Sequence, residues 1–305
     1  MDLAALRARL PESWLTRFAP APTGYLHLGH VVNAVYVWGL AQALDGQILL
    51  RVEDHDRQRS RPEFEAALLD DLDWLGLRPD RFPTDAFRAG ACAGRQSNRD
   101  AIYHAAAADL AARELVYGCR CTRRDLDAAG AGDAAELRYP GTCRSLGLPL
   151  EDGLGWRLVL TDEPVTFDDG VHGPLTQRPA AQCGDLLLRD RLGNWTYQFA
   201  VAVDDTAQSI DLVVRGDDLL ASTGRQILLA RHLGRAAPPL YAHHPLVMKS
   251  PAQKLSKRDR DTGVRDLRAA GRTPAQVLGA AANAVGLNHG ALDLVPGSLA
   301  AIFSR

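Results

Sequence analysis

The chain has 305 residues, of which 46% are hydrophobic and 24% charged, and a formal net charge of −2, a composition ordinary for a globular enzyme with a sizeable core. It contains no apolar run of about 18 residues, and residues 1–11 lack the apolar centre of a signal peptide, so neither a membrane-spanning nor a secreted protein is expected. We therefore expect a cytoplasmic protein, whose five cysteines do not predict a disulfide framework.

The first predicted elements alternate between strand and helix. Residues 14–18 are predicted as a short strand that enters a proline- and glycine-broken turn, and residues 28–44 as a helix. Residues 47–52 form a compact apolar strand, and a helix with four leucines on one face follows over 61–75. This β-α-β-α order predicts the beginning of a doubly wound α/β fold with a parallel sheet.

The middle of the chain has a different character. A helix predicted over 96–115 is followed by a loop with cysteines and by short strand-like pieces at 156–160 and 186–188. Strand and helix alternate again at 210–215 and 222–233, and Thr273-Pro274 begins one more helix. The middle segment is therefore interpreted as an insertion between two halves of a nucleotide-binding fold.

Two short motifs indicate the chemistry. Residues 17–30 read Arg-Phe-Ala-Pro-Ala-Pro-Thr-Gly-Tyr-Leu-His-Leu-Gly-His, which places His27 and His30 at a predicted helix start, where imidazoles and the helix dipole favour phosphate oxygens. About 225 residues later, Lys254-Leu255-Ser256-Lys257-Arg258 supplies two ammonium groups on either side of a hydroxyl. Together they indicate an enzyme that cleaves ATP between its α- and β-phosphates.

The lysine motif lies within a basic stretch. Residues 249–272 contain eight Lys or Arg against three Asp. The stretch is either a solvated helix face or a contact for RNA, and the sequence leaves both interpretations open.

Both motifs resemble the signatures of class I aminoacyl-tRNA synthetases, and the first is most similar to the glutamyl-tRNA synthetase group. The similarity extends over most of the chain, from Arg17 to Arg258, through residues 50–56, 72–77, 197–205 and 214–219. It implies a Rossmann-type doubly wound parallel sheet with an inserted zinc-bearing acceptor-type domain. The boundaries we expect are 12–95 and 193–260 for the two Rossmann halves, 96–192 for the insertion, and 261–305 for a short C-terminal helical segment.

The resemblance also implies an ATP site. His27, Gly29, His30 and Lys257 would bind ATP, with Mg²⁺ bridging the triphosphate. Lys254 would assist Lys257 as pyrophosphate leaves, so that the two histidines and two lysines form the catalytic set. Taken alone, surface histidines at a helix start or lysines in a basic loop would need no such role.

The same resemblance implies a glutamate site. Arg17, Tyr197 and Arg215 would contact the side-chain carboxylate, and Glu53 would receive the ammonium group. The segment that binds glutamate begins with Arg17 and continues as Phe18, Ala19, Pro20 and Ala21. Ala21 and Val201 replace the Ser and Asn typical of the family, so we expect weak glutamate binding.

A cysteine cluster is predicted in the insertion. Cys119, Cys121 and Cys143 offer three thiolates for one tetrahedral, structural Zn²⁺ per chain. Resemblance to the glutamyl-queuosine tRNA(Asp) synthetases suggests Tyr139 as the fourth ligand, although Glu136 or water could take that position. Three reduced thiols without a metal are the alternative.

Only 47 residues follow Arg258, so we expect no anticodon-binding domain of the kind found in full-length glutamyl-tRNA synthetases. With the cysteine set and Val201, this resembles the stand-alone glutamyl-queuosine tRNA(Asp) synthetases. The resemblance implies tRNA-independent activation of L-glutamate with ATP and its transfer to queuosine in the anticodon loop of tRNA(Asp), by a protein expected to be a monomer. The alternatives are a truncated glutamyl-tRNA synthetase that acylates the 3′ end of tRNA(Glu), a small-molecule adenylyltransferase and a non-catalytic RNA-binding module.

Overall fold

The computed structural model describes residues 1–128, 138–250, 253–254, 263–287 and 293–303. No helix in these ranges is long and apolar enough to cross a membrane. The helices are α1 (Leu3–Arg9), α2 (Leu28–Leu44), α3 (Pro62–Leu75), α4 (Thr84–Arg88), α5 (Asp100–Ala112), α6 (Arg123–Ala128), α7 (Pro179–Cys183), α8 (Tyr197–Ala207), α9 (Thr223–His232), α10 (Val264–Ala269) and α11 (Pro274–Ala284). The 3-10 segments of the described ranges are Gln96–Asn98, Asp217–Ser222 and Pro296–Ile302.

The strands of the described ranges fall into three sheets. They are β1 (Leu15–Phe18), β2 (Gln47–Leu50), β3 (Val116–Cys119), β4 (Gly155–Leu158), β5 (Val165–Asp169), β6 (Gly173–Gln177), β7 (Leu186–Arg189), β8 (Leu212–Gly216), β9 (Leu240–His244), β10 (Met248–Ser250) and β11 (Gln253–Lys254). A six-stranded sheet has the order β2-β1-β8-β9-β5-β6, β3-β4-β7 form a second sheet, and β10 pairs with β11.

The central sheet is mostly parallel, as the sequence predicts. β2, β1, β8, β9 and β5 run in parallel, and only β6 is antiparallel, at one edge. All four residues of β1 are buried, as expected for a strand covered on both faces. From β1 the chain passes through α2 to β2 on one side, and it later returns to β8 on the other. Such a reversal leaves a crevice at the carboxyl ends of β1 and β8, where α/β proteins bind ligands.

Helix α2 is fixed firmly above this crevice. It covers the predicted range 28–44, from a His27 cap to Asp45 in the left-handed conformation, and most of its residues are buried. α11 and the segment Pro296–Ile302 pack against it. Gly39 permits this approach, because a Cβ there would lie 2.2 Å from the ring of Phe303. The start of α2, which holds the histidine pair, is therefore positioned by a well-packed core.

The range 96–192, expected as one insertion, contributes to two sheets. Its strands β3, β4 and β7 form the separate antiparallel sheet, whereas β5 and β6 extend the central sheet beside β9. The helix predicted over 96–115 is also shorter: a 3-10 turn at Gln96–Asn98 precedes α5, and β3 begins at Val116. The β5–β9 pairing joins Asp169 to Tyr241, and no local pattern predicts contacts between residues so far apart in sequence.

A buried carboxylate connects the helices beneath the crevice. Asp204 of α8 is completely buried and accepts hydrogen bonds from Arg99 Nε at 2.6 Å, Gln96 Nε2 at 2.8 Å and the Tyr103 hydroxyl at 2.9 Å. Arg51 Nε lies 3.9 Å from the same carboxylate. Because buried charges are tolerated only when they are paired, this group holds α5, α8 and the residue after β2 in one arrangement.

We expect Asp204→Ala to lower the free energy of unfolding by about 3–5 kcal/mol, because it leaves the Arg99 and Arg51 guanidinium groups buried with a partner missing. Urea denaturation of the purified variant measures this change. Asp109→Ala removes an exposed carboxylate on α5 and should change stability by no more than about 0.5 kcal/mol. Equal stability of the two variants would contradict a structural role for Asp204.

Candidate active site

A cavity of about 530 Å³ opens at the carboxyl ends of β1 and β8. It brings together every predicted ATP- and glutamate-binding residue whose side chain the structure describes. These lining residues are Arg17, Phe18, Ala19, Pro20, Ala21, His27, Gly29, His30, Glu53, Tyr197 and Arg215. The first eight come from the single segment 17–30, which leaves β1, turns and enters α2. The turn therefore forms a continuous wall from the sheet to the histidine pair.

The lysine motif is attached next to this cavity at both ends. Val247 lines the cavity and directly precedes β10, whose Met248 pairs with Lys254 of β11. After the motif, the Val264 N–H donates to the Leu26 carbonyl at 2.9 Å, and Gly263 forms a bridge with His27. Lys257 lies outside the described residues, and only the backbone of Lys254 is described. The segment that carries the lysine motif therefore leaves from Val247 and returns at Gly263, and both residues lie beside the cavity.

The two histidines cap their own helix. His27 Nδ1 accepts a hydrogen bond from the Gly29 N–H at 3.1 Å, and His30 Nδ1 accepts one from the His27 N–H at 3.1 Å. A ring nitrogen that accepts carries no proton, so each neutral imidazole holds its proton on Nε2. The ring centroids are 4.0 Å apart. The cap thus sets both tautomers and provides two neighbouring N–H donors where the helix dipole is positive, an arrangement suited to phosphate oxygens.

Two guanidinium groups share one buried carboxylate behind Arg17 of the cavity lining. Asp205 Oδ1 lies 3.3 Å from Arg17 Nε and 2.8 Å from Arg51 Nη2. Arg17 Nη1 also donates to the Val214 carbonyl at 3.1 Å, which connects β1 to β8. Burial would raise the pKa of Asp205, but the charges of Arg51 and Arg17 hold it below its usual value. Asp205 is therefore ionised, and the pair of arginines retains a net positive charge that favours an anionic ligand.

Glu53 is the acidic group at the same end of the cavity. Its Oε1 lies 3.3 Å from Arg51 Nη2. Burial raises the pKa of Glu53 above its ordinary value, although the charges of Arg51, His55 and Arg17 act in the opposite direction. An ammonium group bound beside Glu53 would stabilise the ionised form, so the residue is chemically suited to receive a ligand amine.

Arg215 and Tyr197 complete the predicted glutamate residues. Arg215 Nη1 donates to Gln226 Oε1 at 2.6 Å, and Nη2 donates to Thr223 Oγ1 at 2.9 Å. Its Nε donates to His243 Nε2 at 2.9 Å. Tyr197 is half-buried at the first turn of α8, and burial is the main reason that its pKa is raised. The phenol is therefore a neutral hydrogen-bond donor beside two guanidinium groups.

Several lining residues were not predicted as site residues. His244 stacks on Tyr36 with ring centroids 4.8 Å apart, and its Nε2 lies 3.1 Å from Asn33 Nδ2. Neither His244 nor Asn33 belongs to a predicted motif, and only their nearness in sequence to the lysine and histidine motifs could have indicated them. Ala21 lines the cavity, whereas Val201 is buried in α8 and does not line it among the described residues. The other unpredicted lining residues include Val32, His55, Asp56, Arg59, Asp218, Leu246 and Val247.

The cysteine cluster lies apart, at the end of β3 and in the loops that follow. The Sγ atoms of Cys119, Cys121 and Cys143 lie within 4.8 Å of one another, and the Tyr139 hydroxyl lies 3.5 Å from Cys119 Sγ. Burial and the neighbouring thiols raise the pKa of Cys121 to about 12. A thiol cluster of this size fits a metal ion, which would bind the thiolates and release their protons. Glu136, the alternative fourth ligand, lies outside the described residues.

Comparison with known proteins identifies the family of the chain. A family model described as class I tRNA synthetases (E and Q), catalytic domain, matches residues 14–283. A glutamyl-Q tRNA(Asp) synthetase of Rhodobacter capsulatus is 37% identical over 282 residues, covering 86% of this chain and 98% of the relative. Proteins of the same name from Nitratidesulfovibrio vulgaris and Burkholderia cenocepacia are 39% and 41% identical; the alignments cover 89% and 94% of this chain, and 86% and 93% of the relatives.

Solved structures show the same similarity. The glutamate-tRNA synthetase of Elizabethkingia anophelis aligns with a TM-score of 0.77 and 27% identity, over 95% of this chain and 65% of that one. A glutamate tRNA ligase of Elizabethkingia meningosepticum in complex with its amino acid gives the same score and identity, over 95% of this chain and 64% of its own. This chain thus spans about two thirds of the length of either structure. It belongs to the class I tRNA synthetases (E and Q), whose catalytic domain it contains.

Proposed function

We propose that the chain activates L-glutamate with ATP, without tRNA, and transfers the glutamyl group to queuosine in the anticodon loop of tRNA(Asp). The observation that carries the proposal is one cavity in which a histidine pair and a group of buried guanidinium and carboxylate side chains face the same space. The acceptor is proposed from the relatives named glutamyl-Q tRNA(Asp) synthetase, which align over most of both chains. A cytoplasmic location follows from the tRNA substrate.

In the first step, an α-carboxylate oxygen of glutamate attacks the α-phosphorus of ATP, the bond to the β-phosphate breaks, and pyrophosphate leaves. Arg17, Arg215 and Tyr197 would hold the side-chain carboxylate, while Glu53 would receive the ammonium group. This fixes the position of the α-carboxylate, so the attack needs little further ordering. The segment Phe18, Ala19, Pro20 and Ala21 would line the cavity along the bound amino acid, on the way from Arg17 to the histidine pair.

The phosphates would lie at the other end of the cavity. His27 and His30 would donate Nε2–H groups to the phosphate oxygens. Gly29, also proposed to lie in the ATP site, leaves room for the His27 ring, because a Cβ there would lie 2.9 Å from His27 Cε1. Lys257, with Lys254, would stabilise the charge that develops on the leaving pyrophosphate. Mg²⁺ would be held mainly by the phosphates, where it neutralises their charge; Asp56 and Asp218 of the cavity are oxygen ligands of the type it prefers.

In the second step, a hydroxyl of the cyclopentenediol of queuosine attacks the activated carbonyl carbon. An ester forms, the hydroxyl proton is lost, and AMP leaves. The proposal therefore requires the anticodon loop to reach the cavity that holds the adenylate.

The cysteine cluster is proposed as a structural zinc site. Cys119, Cys121 and Cys143 would supply three thiolates, and Tyr139 would supply the fourth ligand. Arg157 supports the cluster, since its Nε lies 3.3 Å from Cys119 Sγ and its guanidinium group lies 3.7 Å from the centre of the Tyr139 ring. A positive group this close stabilises thiolate and phenolate ligands.

Radiolabelled glutamate with ATP should be transferred to tRNA(Asp) that contains queuosine and not to tRNA(Asp) that lacks it. Filter-bound radioactivity measures the transfer. Removal of the terminal adenosine from the tRNA should leave the label in place, because the ester is on the anticodon loop. Label that appears on tRNA(Glu) and is lost with its terminal adenosine would instead establish a glutamyl-tRNA synthetase.

His30→Ala should reduce glutamate-dependent ATP–pyrophosphate exchange roughly 100-fold, because one preorganised donor to the reacting phosphate is worth about 3 kcal/mol. The exchange rate at saturating substrates measures the loss. His232→Ala, at the end of α9 and outside the cavity lining, is the matched control and should exchange at the wild-type rate. A folded His30→Ala protein with wild-type exchange would remove the histidine pair from the mechanism.

The purified protein should contain about one zinc ion per chain, and Cys121→Ser should lose most of it. Inductively coupled plasma mass spectrometry measures the metal content. Cys183→Ser is the control, since Cys183 is a buried cysteine outside the cluster and should retain full zinc. Well under one zinc per chain in the wild-type protein would contradict the assignment.

A further inference from the structure

Three buried side chains form a line across neighbouring strands at the edge of the cavity. Asp169 ends β5, His243 lies in β9, and Arg215 lies in β8 directly beside His243 in the strand register. His243 Nδ1 lies 2.6 Å from Asp169 Oδ2, and His243 Nε2 lies 2.9 Å from Arg215 Nε. Of the three, Arg215 lines the cavity, whereas the other two lie behind it. Their contacts form a continuous path from the β5 side of the sheet to a cavity residue.

The carboxylate determines which nitrogen of the imidazole carries the proton. An ionised carboxylate only accepts hydrogen bonds, so His243 Nδ1 is the donor to Asp169. His243 Nε2 is then unprotonated and accepts from Arg215 Nε. Burial, the largest effect, lowers the pKa of His243, which keeps the ring neutral. With the other tautomer, two N–H groups would face each other between His243 and Arg215.

The orientation of Asp169 is itself fixed by the backbone. Its Oδ1 accepts from the N–H groups of Val171 at 2.9 Å and His172 at 3.1 Å, in the turn between β5 and β6. The other oxygen, Oδ2, is left to face the imidazole. Backbone amides therefore orient the carboxylate, the carboxylate sets the tautomer, and the tautomer provides the acceptor for Arg215.

The remaining contacts of Arg215 restrict it to one position. Hydrogen bonds to Gln226, Thr223, the Leu219 carbonyl and His243 use four of its five N–H groups. One N–H of Nη1 is left without a hydrogen-bond acceptor among the described residues. A guanidinium group with this arrangement is preorganised for a ligand, and loss of one anchoring acceptor would let it turn away.

We infer that Asp169 and His243 are positioning residues, which present the Arg215 guanidinium group to the side-chain carboxylate of the amino-acid substrate and so set its affinity. The inference depends on the proposed function, in which glutamate is the substrate. Neither residue touches the substrate or ATP. Their effect is on amino-acid binding and not on the phosphates, which lie at the histidine end of the cavity.

Asp169→Asn tests this inference with almost no change in volume. The N–H groups of Val171 and His172 keep the amide oxygen in the Oδ1 position, so the amide nitrogen must face His243. The imidazole would then accept at Nδ1 and hold its proton on Nε2, opposite the Arg215 N–H. Asp168→Asn is the matched control, because Asp168 is the adjacent residue of β5 and its half-exposed carboxylate only pairs with Arg9 on the surface.

Glutamate-dependent ATP–pyrophosphate exchange should give a KM for glutamate that is about tenfold or more higher in Asp169→Asn, with the KM for ATP changed less than about twofold. Asp168→Asn should match the wild type in both. His243→Gln retains an oxygen acceptor near the Nε2 position, whereas His243→Asn does not reach it. We therefore expect a lower KM for glutamate in His243→Gln than in His243→Asn.

The outcomes separate the inference from the proposed function. If the wild type shows exchange, two results would overturn the positioning role alone. One is an unchanged KM for glutamate in Asp169→Asn, and the other is an equal change in the KM values for glutamate and ATP. If Asp169→Asn does not fold, equal KM values for glutamate in His243→Gln and His243→Asn would overturn it. Absence of glutamate-dependent exchange in the wild-type protein would overturn the proposed function and, with it, the inference.

Discussion

The shared carboxylate of Asp205 is the interaction on which the cavity depends. Arg17 lies in a fully buried strand and Arg51 directly after another, so both guanidinium groups are removed from water and need an anionic partner. Asp205 contacts both, and it comes from α8, which the buried Asp204 connects to α5. One helix thus supplies the charge balance for two neighbouring strands. The contacts that stabilise the central sheet therefore also hold Arg17 of the cavity lining in place.

One continuous segment of the chain supplies residues to both ends of the cavity. Arg17 of β1 lines the proposed glutamate end, and His27 and His30, ten or more residues later, line the proposed phosphate end. The packing of α2 against α11 fixes the distance between them. A cavity that has cationic groups at one end and N–H donors at a helix start at the other is suited to a ligand with both a carboxylate and a phosphate. The adenylate of an acidic amino acid is such a ligand.

Local sequence signals predicted the elements near the site well. α2 extends over the predicted residues because a capping residue precedes it and Asp45 in the left-handed conformation ends it. The prediction of 96–192 as a single insertion did not anticipate that β5 and β6 extend the central sheet, because parallel pairing of β5 with β9 depends on distant residues. For the same reason no local pattern indicated Asp169 and His243, since each contributes through a partner in another strand. The roles of Lys254 and Lys257 stay predictions from the motif.

The proposed function requires that one cavity hold glutamate and the α-phosphate of ATP in contact. A crystal structure with a non-hydrolysable glutamyl-adenylate analogue, such as the sulfamate, tests it directly. We predict that the side-chain carboxylate of the analogue contacts Arg17, Tyr197 and Arg215, and that its sulfamate lies beside His27 and His30. An analogue bound outside the cavity, or with its carboxylate at the histidine end, would contradict the proposed binding mode.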